Sequence, residues 1–442
     1  MASDLFNIGS SGLKAARAAL EVTTQNIANA ATEGYVRRSV SLSEMAAAGG
    51  YSRIGDLSLS GVRVAGIQRN ADLFRQSELR RTGSDAARAG SELKGFENIE
   101  SAIDQSNVYP AMTAFEGSLQ RLVADPVDLS LRAAALEDAR TLARTFNIAA
   151  SALDNVGAGL RFEATDATAQ VNSLSGELAR VNLQLNRTAA GTSDQTLLLD
   201  QRDQLMQQLS GYADITTSIG VDQAVEVRIG GAPLVQGGTA KPFAMVTGGD
   251  GTISFTLDGA PVTVAGGSLA GKAQALIAVR DNKDQLDVIA GHLMTAANGA
   301  QGTGVALDGS AGIAMFTGSG AAGITLNLTS GSQIATAAST AGPGSRDPAN
   351  LEAMRTALSS AGVAKDLDGM LFAVSSGVAG RKTTAQALDS IASAAKLAFE
   401  QQSGVDLDQE AANLVRFQQA FQANGKAIQI AADLFDTLLA LK

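Results

Sequence analysis

Apolar positions near the C-terminus recur every seven residues, at Leu407, Leu414, Phe421, Ile428 and Phe435, with Phe417, Ala431 and Leu438 filling the position three residues on. Near the N-terminus Leu13, Leu20 and Ile27 keep the same period, with Ala16 and Thr23 between them. A heptad repeat draws a narrow apolar stripe along a helix, and such a stripe is buried by another helix. The pattern predicts terminal helices over residues 4–30 and about 407–441, the second roughly 50 Å long at 1.5 Å per residue. Asp406 and Gln409 are placed to cap the latter. The two ends therefore pack together, complete a bundle within the chain, or pack against copies of themselves. Asn424 falls on the C-terminal stripe, where a buried Asn can fix register at some cost in stability.

Between the ends the period changes several times. Leu57, Leu59, Val62, Val64 and Ile67, in a Ser/Gly-spaced stretch, predict short strands within 36–70. From about 71 to 210 the spacing is helical, as in Leu136, Ala139, Ala143, Phe146, Ala150 and Leu153. Tyr109-Pro110 opens one helix and Asp125-Pro126 closes it, as proline's fixed φ and missing N–H require. Gly191-Thr192-Ser193 separates two amphipathic runs and suggests an antiparallel helix pair. At about 213 the period becomes two, in Val225, Val227, Ile229 and again in Ile253, Phe255, Leu257, punctuated by paired glycines. Helix returns over 268–298, a Gly-rich and partly β stretch covers 299–345, and helices resume to the C-terminus. The expected fold is mainly α with β inserts, an α+β multidomain chain. It comprises a terminal coiled-coil domain (1–35 with 405–442), a long-helix body (36–212 with 268–298 and 346–404), a small antiparallel β outer insert (213–267) and a Gly-rich insert (299–345).

Composition narrows the chemistry. The 442 residues are 45% hydrophobic and 4% aromatic, so helices must pack closely around thin cores. A net charge of −10 argues against a nucleic-acid partner. Absence of Cys removes disulfides and thiolate metal sites, and one histidine, His292, rules out a multi-histidine site within one chain. No apolar run reaches the roughly 18–20 residues of a membrane span, and the N-terminus lacks a Sec-type signal. Gly318 to Gly323 matches G-x-G-x-x-G, but a strand-like segment follows where a dinucleotide site needs a helix, so it reads as a flexible turn. Three S-x-x-K matches, beginning at Ser11, Ser91 and Ser393, lack the companion motifs of acyl enzymes. His292 reads as a packing or helix-flank residue. Asp200, Asp203, Asp281, Asp284 and Asp287, interspersed with Arg202, Arg280 and Lys283, read as solvated, salt-bridged faces. No catalytic residue, cofactor site or metal site is expected.

Two segments resemble a known family. The run Ser11-Gly12-Leu13-Lys14-Ala15-Ala16, then Gln25-Asn26-Ile27-Ala28-Asn29-Ala30 and Gly34-Tyr35, resembles the opening of bacterial flagellar rod, hook and hook-associated proteins, with Glu33 standing where the family usually has proline. The run from Ser403 to Glu410, then Asn413-Leu414 and Phe417 to Asn424, is similar to the family's ending. Leu198 to Leu205 and Gly304 to Gly309 resemble its hook-associated members. The resemblance implies a non-enzymatic structural subunit that joins hook to filament, located in the extracellular flagellum and exported through the type III flagellar route by an uncleaved signal. It implies self-association through the terminal helices, with Asn26, Asn29, Gly34 and Tyr35 as motif residues. Its implied neighbours are hook protein and the second hook–filament junction protein (hook-associated protein 3), and an export chaperone would hold the C-terminal helix. Other readings are another axial protein of hook or rod, and a secreted adhesin-like module that uses the β insert.

Overall fold

The structure, a computed structural model, describes residues 2–32, 34–45 and 61–440. Helix α1 (Ala2–Ala28) leads into a hairpin of β1 (Arg38–Glu44) and β2 (Val62–Arg69). Then come α2 (Leu73–Ser106), α3 (Val108–Ala124), α4 (Leu129–Leu185) and α5 (Ser193–Tyr212). Seven short strands follow: β3 (Thr216–Ile219), β4 (Val225–Ile229), β5 (Ala232–Gln236), β6 (Thr239–Ala240), β7 (Phe243–Thr247), β8 (Ile253–Leu257) and β9 (Ala260–Val262). Helix α6 (Gly267–Thr303) precedes a run of small pieces: β10 (Gly304–Val305), β11 (Phe316–Thr317), α7 (Gly320–Gly323), β12 (Thr325–Leu326) and β13 (Ala337–Ala338). Helices α8 (Ala349–Ala361), α9 (Val363–Ser403) and α10 (Leu407–Ala440) complete the chain. The fold is mainly α with small β inserts, as the periodicity indicated. Leu57 and Leu59, expected in strands, lie outside the described residues.

The chain forms two compact units: Met1–Ser84 with Gln170–Phe243 and Asp389–Lys442, and Asp85–Ala169 with Ala244–Leu388. In the first, β3-β4-β5-β6 form a four-stranded antiparallel sheet. Val225, Val227 and Ile229 point inward while Glu226 and Arg228 point out, which is the alternation a one-sided sheet demands. Two asparagines of α4 act as surrogate strand edges. Asn182 receives Val225 N–H at 2.9 Å and donates to Val225 O and Gly237 O at 2.8 Å. Asn172 receives Phe243 N–H at 2.9 Å and donates to Phe243 O at 2.7 Å. Helices α4 and α5 form the expected antiparallel pair: Thr192 caps α5 through Gln195 N–H, and Gln201 reaches back to Glu177 at 3.0 Å.

The second unit holds the larger apolar core, contributed by α2, α3, α4, α6, α8 and α9 and closed by Met315, Phe316 and Ile324. Its small cores depend on close approach. A methyl group at Gly271 of α6 would collide with the backbone of Arg88 in α2. Arg132 (0% exposed) clamps the Gly-rich segment, donating to Pro126 O (2.5 Å), Gly331 O (3.1 Å), Ile334 O (2.9 Å) and Thr336 Oγ1 (2.7 Å). Burial lowers its pKa, yet this carbonyl shell holds the cation in place of a carboxylate.

Candidate functional site

The terminal helices meet within one chain. Gly9 of α1 lies against Ile428 of α10, where an added Cβ would come to 2.8 Å, and Gly12 lies against Asn424. Further along, Asn26 of α1 bonds Glu410 of α10. Residue numbers fall on α10 as they rise on α1, so the pair is antiparallel. Asp406 caps α10, accepting from Asp408 N–H at 3.0 Å and Gln409 N–H at 3.1 Å. Glycines that weaken an isolated helix here open a notch for a neighbouring one. Asn424 sits in that notch, half-buried, donating to Ala420 O at 2.8 Å.

Beneath the pair lies a buried polar node. Asn26 is 1% exposed and spends its whole amide: it donates to Arg38 O (2.9 Å) and Glu410 Oε2 (3.2 Å), and accepts from Tyr35 Oη–H (2.9 Å) and Arg38 N–H (3.0 Å). Arg37 Nε donates to the other oxygen of the buried Glu410 at 2.7 Å. Arg37 N–H bonds Ser403 O, and Asn70 N–H bonds Arg37 O, so the end of α9 is tied in too. Gly34, at φ +79°, takes the left-handed turn that brings Tyr35 under α1. Asn29 donates to Gln25 O at 2.9 Å, extending the last turn of α1.

The hairpin continues the node to α5. Arg38 Nη2 donates to Asp200 Oδ2 at 2.7 Å, and Arg69 Nη2 to Asp203 Oδ2 at 2.8 Å. Asp203 also accepts from Arg202 Nη2 (2.7 Å), Arg202 Nε (2.9 Å) and Gln76 Nε2 (2.9 Å). The two carboxylates diverge for a geometric reason. Burial pulls Asp203 upward, but Arg202 and Arg69 outweigh it, so its carboxyl sits below the ordinary range. Burial pushes Asp200 above that range: Arg69 Nε stands 2.8 Å from Asp200 Oδ1 but out of line for a hydrogen bond, leaving Arg38 as its one aligned donor. Burial likewise raises Tyr35. Close backbone contact reinforces the ionic tie: Gly66 of β2 faces Gly191 of the α4–α5 turn, and Ile67 N–H bonds Gly191 O at 2.8 Å.

Asp200, Arg202 and Asp203 do not form the solvated face that their spacing predicted, because the hairpin's arginines cover them. Side-chain exposures are 12%, 2% and 10%. Asp281, by contrast, pairs with Arg280 on an exposed surface. Asp287 of α6 accepts Ala321 N–H at 2.6 Å, so the chain's own carboxylate occupies the G-x-G-x-x-G turn, which Asn147 also pins through three carbonyls. His292 Nδ1 lies 3.5 Å from Asp366 Oδ2, both about half-exposed. Among the described residues no group of three or more His, Asp or Glu is placed to hold a metal ion, and no helix is long and apolar enough to cross a membrane.

The stripe residues divide. On α1, Ala16 and Thr23 are buried while Leu13, Leu20 and Ile27 are half-buried. Ala15, Ala19, Val22 and Asn26, on the adjoining flank, are also buried, because α1 packs on the hairpin as well as on α10. On α10, Leu414, Phe417 and Ile428 are half-buried, whereas Leu407, Phe421 and Phe435 are exposed. Leu438 lies in α10 with its side chain outside the described residues. Val415, Ile430 and Leu434 lie away from α1 and are exposed as well, Ile430 at 59%. Leu5, Phe6 and Ile8 leave the start of α1 exposed too.

Comparison with known proteins gives this arrangement relatives. Residues 93–316, half of the chain, match the family model described as flagellar hook-associated protein FlgK helical domain. Residues 6–35 match flagella basal body rod protein, and residues 398–441 match flagellar basal body rod FlgEFG protein C-terminal. Flagellar hook-associated protein 1 of Salmonella typhimurium is 30% identical over 253 residues, 55% of this chain and 44% of that protein. Its Bacillus subtilis counterpart is 30% identical over 213 residues, 47% of this chain and 42% of that protein. The matched region thus spans under half the length of these curated relatives. In fold, the chain is similar to the flagellar hook junction protein FlgK from Burkholderia pseudomallei, with TM-score 0.50 and 21% identity, over 55% of this chain and 46% of that one. On the match that spans half its length, the chain belongs to the flagellar hook-associated protein FlgK family.

Proposed function

We propose that this protein is a non-enzymatic structural subunit of the bacterial flagellar axis, at the junction between hook and filament. The observation that carries the reading is α10: a helix paired with α1 along one face presents Val415, Ile430 and Leu434 to solvent on another. Apolar residues repeated along an exposed helix mark an association surface, and neighbouring copies supply helices of matching character. The polar node gives the pair a fixed seat, so a load on the terminal helices passes through Glu410, Arg37 and the hairpin to α5. Hook protein and the second hook–filament junction protein are the proposed axial neighbours. An export chaperone is the proposed cover for the apolar face of α10 before assembly, with delivery by the type III flagellar route to an extracellular site. The family descriptions support the flagellar axial setting on which these proposals rest.

The test is Ile430→Glu with Leu434→Glu. Both positions are exposed, so the variant folds with an unchanged unfolding midpoint. In a flagellated host that depends on this chain, hooks should form and filaments should detach or fail to grow. Normal attached filaments on that variant would overturn the reading.

A further inference from the structure

Between α2 and α9, within the second unit, lies a groove of about 390 Å³. Glu97, Glu100 and Asp104 of α2 line one side, and Leu371 and Val374 of α9 line the other. No cation is among its lining residues. The nearest arginine along α9, Arg381, is already committed: it stacks 3.5 Å over Phe96 and donates to Glu92 at 2.8 Å. Three carboxylates spaced i, i+3 and i+7 fall on one helix face, and uncompensated like charges on one face repel one another. The surface is therefore incomplete by itself, apolar on one side and anionic on the other.

The same unit carries a surface of opposite character. On α4, Arg144, Ile148, Ser151 and Asn155 fall on one face. Ile148 is 54% exposed, Arg144 is exposed, and no carboxylate pairs with Arg144 among the described residues. We propose that the Arg144–Ile148 ridge of one copy docks in the α2/α9 groove of the next, with Arg144 among the groove carboxylates and Ile148 against Leu371 and Val374. This rests on the self-assembly reading above only for its occupant, a second copy of the chain. Charge decides the pairing. With a net charge of −10 the copies repel at long range, and two acidic grooves set face to face would repel further. The groove must therefore meet a different patch, and such a heterologous contact propagates into a ring or a helical array instead of closing as a dimer.

A cysteine-free chain makes the test direct. Ser101→Cys at the groove and Ser151→Cys on the ridge are both exposed changes. The two single variants are co-expressed as full chains and oxidised. The expected result is a mixed disulfide dimer, with no dimer from either variant alone. Arg144→Glu in the Ser151→Cys chain should cut its yield roughly tenfold, the scale expected for a charge reversal at an association surface. Glu100→Arg in the Ser101→Cys chain should restore it. Absence of the mixed dimer, or a yield indifferent to the charge reversal, would overturn the proposal. The junction role fails separately, through filament attachment in the Ile430→Glu and Leu434→Glu variant, which leaves groove and ridge untouched.

Discussion

Replacing Asn26 with Ala probes the seat of the terminal helices most sharply. The substitution removes four bonds at once. Arg38 loses partners for both its N–H and its C=O in a buried position, and orphaning a buried backbone group costs about 1–3 kcal/mol each. Tyr35 and Glu410 each lose one bond, at about 0.5–1.5 kcal/mol apiece because Glu410 keeps Arg37 and Tyr35 is half-buried. Alanine returns roughly 0.5 kcal/mol of helix propensity. The net loss is therefore about 2.5–8.5 kcal/mol, and a value near 4 means about a thousandfold rise in the local opening constant. Native-state amide exchange reads this by peptide. Exchange should accelerate in residues 20–45 and 403–415 and stay unchanged in 129–160. Asn26→Asp should also destabilise at neutral pH, since it sets a second carboxylate against Glu410. A loss below about 1 kcal/mol, or equal acceleration across the whole chain, would refute the view that this amide holds the terminal pair to the hairpin.

Three further outcomes follow from the same geometry. Asp203→Asn should cost about 3–5 kcal/mol at neutral pH, because it leaves the buried Arg202 without its carboxylate and Arg69 with Asp200 alone. Since the native carboxyl lies below its ordinary value, that deficit should be full above pH 3.8 and shrink as pH falls through the lower folded value, read by urea midpoints across pH. Gly12→Ala should destabilise the α1–α10 pair by displacing Asn424, and Asn424→Ala should rescue it in a double-mutant cycle of thermal midpoints. Arg132→Met should leave the carbonyls of Pro126 and Ile334 and the buried Thr336 hydroxyl without their guanidinium donor, cost about 3 kcal/mol or more, and raise proteolysis within 325–345.

Periodicity exposed the elements that depend on local pattern. Helix α10, its Asp406 cap, the Thr192 break and the inward alternation of β4 follow from residues within a few positions of one another. The node does not. Asn26–Glu410, Arg38–Asp200 and Arg69–Asp203 join residues far apart in sequence, and nothing local distinguishes a carboxylate facing water from one facing an arginine of another element. A signal was nevertheless present: Arg37, Arg38 and Arg69 flank two strands, and Asp200-Gln201-Arg202-Asp203 sits on a helix with apolar neighbours at Leu199 and Leu205. On α1 the heptad marks only part of what is covered: Leu13, Leu20 and Ile27 are half-buried and Ala16 and Thr23 buried, but small Ala15 and Ala19 on the adjoining flank are buried too, because a helix packed on two partners buries an arc wider than a stripe. The motif residues Asn26 and Tyr35 are joined by a hydrogen bond across the turn at Gly34, which no local pattern of residue types shows.

In the proposed function one face of α10 is spent on α1 while another waits for neighbouring subunits. Hydroxyl-radical footprinting of Val415, Ile430 and Leu434 tests it directly, comparing the purified chain with the same chain in isolated hook–filament particles. All three should label strongly in the free chain and be protected in the particles, with Phe417 labelled weakly in both. Equal labelling of Ile430 and Leu434 in the two states would contradict it.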